Sequence, residues 1–83
     1  MVGMFEYRIC NVQQARVTFV NGEWQGHIAV TDTTADDNAK MESCDNAWDY
    51  LYRAGLQGWE LVSVVAHGTP ELRYEVFYLK RAL

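Results

Sequence analysis

Gly58-Trp59-Glu60-Leu61-Val62-Ser63-Val64 decides how this 83-residue chain is organised. A glycine, the residue that best adopts the left-handed conformation closing a helix, is followed at once by an aromatic and β-branched run. The stretch therefore reads as a helix stop joined directly to a strand start.

Upstream of it, Trp48, Leu51, Tyr52 and Leu56 recur at i, i+3, i+4 and i+8, with Ala47 and Ala54 beside them. That spacing predicts an amphipathic helix with one apolar stripe toward a core. Ser43 or Asp45 is suited to cap its start, and Asp49 and Arg53 form an i,i+4 pair on its surface.

Downstream, Trp59 to Ala66 is apolar on both faces, with Trp59, Leu61 and Val65 on one and Val62, Val64 and Ala66 on the other. A strand covered on both sides belongs in the middle of a sheet. His67-Gly68-Thr69-Pro70 reads as a turn. Glu71 to Arg81 then alternates, placing Leu72, Tyr74, Val76 and Tyr78 on one face and Phe77 and Leu79 on the other. These last two strands are expected to pair as an antiparallel hairpin.

The N-terminal half begins with another alternating run, Met4 to Val12, in which Phe5, Tyr7 and Ile9 oppose Glu6, Arg8 and Cys10. Arg16–Val20 and Glu23–His27 flank Asn21-Gly22, the usual sequence of a two-residue hairpin turn that needs two positive φ angles. In that register Phe19 faces Trp24. Thr31 to Lys40 is polar and reads as a solvated loop. Its carboxylates Asp32, Asp36 and Asp37 lack the alternation, central glycine and closing glutamate of a calcium loop.

The order β-β-β-α-β-β implies an α+β fold, a two-layer sandwich of one helix on an antiparallel sheet, in a single small domain spanning 1–83. One helix covers only one sheet face. Val62, Val64, Phe77 and Leu79 are expected to leave the second face apolar, so a second copy of the chain is the simplest cover for it.

Composition narrows the function. The net charge is −4 and the seven basic residues are scattered, which argues against the basic stripe that nucleic-acid binding exploits. No apolar run reaches the ~20 residues of a membrane span, and Met1 to Glu6 lacks the pattern of a signal peptide. The chain reads as a cytoplasmic protein. Cys10 and Cys44 fit no metal or redox spacing and read as two buried thiols. Aromatic residues are 13% of so short a chain, which suits an interface rich in Trp and Tyr as well as a small core.

Phe5-Glu6-Tyr7-Arg8, Ala54-Gly55-Leu56-Gln57-Gly58, Trp59-Glu60-Leu61-Val62-Ser63-Val64 and Phe77-Tyr78-Leu79-Lys80-Arg81 together resemble a bacterial family of small domains. It is catalogued as domain of unknown function 4177. The chain departs from it by carrying the Asn21-Gly22 hairpin and the acidic segment before the helix. The resemblance implies a compact β-α-β-β scaffold and supplies no catalytic residue.

The residues themselves offer no catalytic constellation. His27 and His67 each sit beside a glycine and read as surface histidines; Ser43, Ser63 and Cys44 have no base nearby in the pattern. No phosphate-binding glycine loop is present. Glu60 is expected to pair with Arg8, Arg73 or Arg81. The sequence therefore points to a non-enzymatic module without cofactor or metal, a scaffold or accessory subunit that binds itself or another protein. Phe19, Trp24, Val62, Val64, Phe77 and Leu79 are its candidate interaction residues. The alternative is a small-molecule site in which Trp24, Trp48 and Trp59 form a slot for a planar ligand.

Overall fold

A computed structural model describes residues 3–83; Met1 and Val2, part of the N-terminal stretch read above, lie outside the described residues. The elements are β1 (Phe5–Gln13), β2 (Arg16–Val20), β3 (Glu23–Trp24), α1 (Asp37–Glu42), α2 (Ala47–Leu56), β4 (Glu60–Gly68) and β5 (Arg73–Ala82). The five strands form one antiparallel sheet in the order β3-β2-β1-β5-β4. The fold is α+β, with helices on one side of the sheet.

Gly58 makes the hinge. At φ 90° it ends α2, its N–H donating to Gly55 O at 3.0 Å while Trp59 N–H reaches Ala54 O, also at 3.0 Å. Those two bonds form a Schellman closure, which satisfies carbonyls the helix would otherwise leave open. β4 starts two residues later at Glu60, and Trp59 remains between the elements as a core residue, 7% exposed.

At its other end α2 is held by Asn46, whose side chain accepts from Asp49 N–H at 2.8 Å, so Asn46 caps the helix, not Ser43 or Asp45. Ala47 N–H donates to Ala15 O at 2.8 Å and Val17 N–H to Asp45 O at 2.9 Å, fastening the helix start over the β1–β2 turn. With both ends fixed, the face toward the sheet is Ala47, Tyr50, Leu51 and Ala54. The two alanines allow close approach. Of the expected stripe only Leu51 packs inward; Trp48, 77% exposed, and Tyr52 and Leu56 form an outward ridge at i, i+4, i+8. Arg53 pairs with Asp45 rather than with Asp49, whose carboxylate instead accepts from Asn46 Nδ2.

The segment read as a polar loop contains a second helix. Asp36 Oδ1 accepts from Ala39 N–H at 2.7 Å, and Asp37 and Lys40 sit where the helix dipole favours their charges. None of the six residues of α1 is buried, so caps rather than apolar periodicity hold it, and a search for periodicity passes over it. Ser43 closes α1.

Two hairpins order the N-terminal strands. Gln14 (φ 51°) and Ala15 (φ 61°) form the β1–β2 turn, both left-handed without being glycine. Asn21 (φ 50°) and Gly22 (φ 83°) join β2 to β3, and Phe19 pairs with Trp24 across it. Asn21 Oδ1 also accepts from Ile9 N–H at 2.8 Å, tying this turn to β1.

The core lies between α2 and the sheet and consists of Cys10, Val12, Val17, Ala54, Trp59, Phe77 and Leu79. This reverses the expected facing of β5: Phe77 and Leu79, the latter 1% exposed, lie under the helix, not on the uncovered face. On β1 the helix side takes Glu6, Arg8, Cys10 and Val12, so Phe5, Tyr7 and Ile9 point away. A bulge between Leu61 and Ser63 changes β4 as well. Leu61 now pairs with Leu79 and Val64 with Phe77 on the helix side, while Val65 pairs with Val76 on the other. β4 itself is an edge strand, not a central one.

Candidate interaction surface

Among the described residues, two adjoining surfaces of the sheet lack cover. The first is the face away from α2. Strand register brings together Phe5, Tyr7 and Ile9 of β1, Tyr74, Val76 and Tyr78 of β5, and Val65 of β4. All but Val76 are exposed, Tyr7 to 64%. The charges of the three long strands are sorted between the faces. Glu6, Arg8, Arg73, Glu75 and Arg81 take the helix side by register, whereas the open face has only Glu60 and Lys80. Those two lie 3.9 Å apart and offset one another. Lys80 also sits 4.9 Å from the Phe5 ring centroid, and His67 stacks on Tyr74 at 5.2 Å. Glu60 thus has Lys80, and none of the expected arginines, as its partner.

The second surface is β4, all nine of whose residues are exposed, including Leu61, Val62, Val64 and Val65. α2 crosses the sheet without covering it.

The sequence candidates fall into three places. Phe19 and Trp24 stack edge to face at 5.4 Å and are half-buried, with Trp24 Nε1 donating to Ile28 O at 2.9 Å. Val62 and Val64 lie exposed on β4. Phe77 and Leu79 belong to the core. Phe5, Tyr7, Ile9, Tyr74 and Tyr78 were missed because period-two alternation shows which residues share a face, but not which face the helix takes.

The three tryptophans are not assembled into a slot. Trp24 is on β3, Trp48 points outward from α2, and Trp59 has the guanidinium groups of Arg8 and Arg81 over its ring, at 4.3 and 4.5 Å from the centroid. Arg8 donates to Tyr50 Oη at 2.8 Å, and Arg81 pairs with Glu6 and donates to Gln57 O at 3.1 Å. This cluster braces the α2–β4 hinge against β1 and β5. A separate open groove of about 810 Å³ lies between the β1–β2 turn and the far end of the β4–β5 hairpin, with Val12, Ala15, Met41, Ala66 and Leu72 among its walls.

Cys10 and Cys44 are unpaired and buried, and burial pushes both thiols above their ordinary value. That is opposite to the shift that activates a nucleophilic cysteine. Among the described residues no group of three His, Cys, Asp or Glu side chains is placed to hold a metal ion, and no helix is long and apolar enough to cross a membrane. No protein-family model matches the chain, and comparisons with curated proteins and with solved structures likewise return no match.

Proposed function

We propose that this chain is a non-catalytic self-association module, a scaffold or accessory subunit whose open sheet face is covered by a second copy. The observation that carries this reading is surface area. The chain exposes 6084 Å². A compact monomer of 9.5 kDa exposes about 5,000 Å². The excess of ~1,000 Å² per chain is of the size that a standard interface removes from each partner, about 800 Å². Its radius of gyration, 14.1 Å, likewise exceeds the ~12 Å of a compact chain of this length.

The open face has the composition of an interface core: aromatic and aliphatic side chains, with one internally compensated ion pair. The net charge of −4 opposes self-association least where the touching surfaces are neutral. Two sheets packed face to face would stand ~10 Å apart with the helices outside.

The test is sedimentation velocity of the wild type beside Tyr7→Glu. Tyr7→Glu places a second carboxylate on the open face, across the register from Lys80, without touching the core. The wild type is expected to sediment above 9.5 kDa, and Tyr7→Glu to weaken association at least about tenfold, the equivalent of 1.4 kcal/mol. Equal association of the two proteins would overturn the assignment to this face.

The groove by the β1–β2 turn favours a second reading, binding of a small apolar ligand, since its volume is in the range of ligand pockets. A fragment screen by thermal shift tests it; no shift that disappears in Ala66→Trp would remove it.

A further inference from the structure

We infer that β4 is a second self-docking element, pairing antiparallel with β4 of another copy about a two-fold axis at Val65, so that two five-stranded sheets become one. This rests on the self-association reading but uses a different surface.

The two edges of the sheet are built differently. β3, at one end, is two residues long, a length that gives another chain little to pair with. β4, at the other, is nine residues long. After Glu60 its residues are Leu61-Val62-Ser63-Val64-Val65-Ala66-His67-Gly68, with no carboxylate, lysine, arginine or proline. Those are the residues that natural edges use against pairing, and they are absent here although the chain carries eighteen charged side chains elsewhere. Apolar side chains on both faces, Leu61 and Val64 on one and Val65 on the other, give β4 the composition of a central strand. It becomes one when a second strand is added outside it.

The chain's own geometry is compatible with a second copy in a symmetric register. Directly opposed residues of an antiparallel pair share a face, and the bulge at Val62 interrupts the alternation. The uninterrupted stretch is Ser63–Gly68. A two-fold at Val65 pairs Val65 with its own copy, Val64 with Ala66 of the second copy, and Ser63 with His67. Every one of these pairs shares a face, and no like charges meet. Glu60 stays outside the paired stretch on both copies. The edge contact alone is smaller than a standard interface, so it gains most from copies already gathered through the open face, where linkage raises the effective concentration.

The experiment is disulfide trapping in the full chain. Opposed Cα atoms in an antiparallel pair stand about 4.5–5.5 Å apart, inside the range a disulfide spans. Val65→Cys, oxidised mildly, is expected to give a covalent dimer on non-reducing gels. Ser63→Cys is expected not to, because residues 63 of the two copies would be offset by ~14 Å along the strand. The wild type, whose two thiols are buried, provides the blank. A third variant, Val64→Lys, places a charge at the edge away from the open face and is expected to lower the trapped fraction of Val65→Cys at least fivefold. Trapping at Ser63 rather than Val65, or at neither while the wild type sediments as an oligomer, overturns the edge register and leaves the open-face reading standing. A monomeric wild type together with no covalent dimer from Val65→Cys removes both.

Discussion

Trp59 concentrates the physics of the fold in one side chain. It is buried where helix hands over to strand, with two guanidinium groups over its ring. Among the described residues its Nε1 has no hydrogen-bond partner. Trp59→Ala would lose the buried ring and both cation–π contacts, and is expected to cost about 3–5 kcal/mol of unfolding free energy. Trp59→Phe keeps much of the packing and removes the unpaired N–H, so its cost in urea denaturation is expected to be less than half as large. The thiols and the Tyr50 phenol give a second residue-scale prediction. Burial raises Cys10 and Cys44 above 9.0 and Tyr50 above 10.0. The folded protein therefore keeps protons that the unfolded chain releases. This stability is present below the ordinary range of a free thiol and is lost as pH rises through the folded values. The urea midpoint is expected to hold level up to about pH 8.5 and fall above it, with a shallower fall in Cys10→Ala. Glycine-then-tryptophan was legible in the sequence as a hinge. The arginine clasp was not, because Arg8 and Arg81 reach Trp59 only once β1, β4 and β5 are in register.

At the scale of elements, the turns differ in how well their residues suit them. Asn21-Gly22 has the chemistry its angles require. Gln14-Ala15 adopts the same left-handed region with an ordinary residue at each position, and nothing in its composition announces a turn. Ala15→Gly is expected to raise stability by up to about 1 kcal/mol, read as a higher melting temperature. Ala15 contributes only its backbone carbonyl to the α2 contact, which glycine retains. The same gap between local and global information explains the other differences. α2 was legible from its spacing and its stop, yet its rotation is set by backbone bonds at Ala15 and Ala54, which no periodicity records. α1 is held by Asp36 and dipole-matched charges and has no apolar stripe to find. β4 was legible as a strand apolar on both faces, whereas its place at the edge rather than in the middle of the sheet was not.

At the scale of the molecule, the surface is large for its mass, and its exposed apolar side chains are not spread evenly. They lie on the open face around Tyr7, Tyr74 and Tyr78, along β4, and on the Trp48–Tyr52–Leu56 ridge of α2. That a second sheet face would be left apolar was legible in the sequence, but the residues on that face were not. Phe77 and Leu79 exchanged sides with Tyr74 and Tyr78 because one choice, which side of the sheet α2 takes, inverts every strand at once. The central claim is that the chain completes its own fold by association. Sedimentation of the wild type over a hundredfold range of concentration tests it most directly. The expected result is a mass that is a multiple of 9.5 kDa and falls toward one chain only on dilution. A single species of 9.5 kDa across the whole range would contradict it.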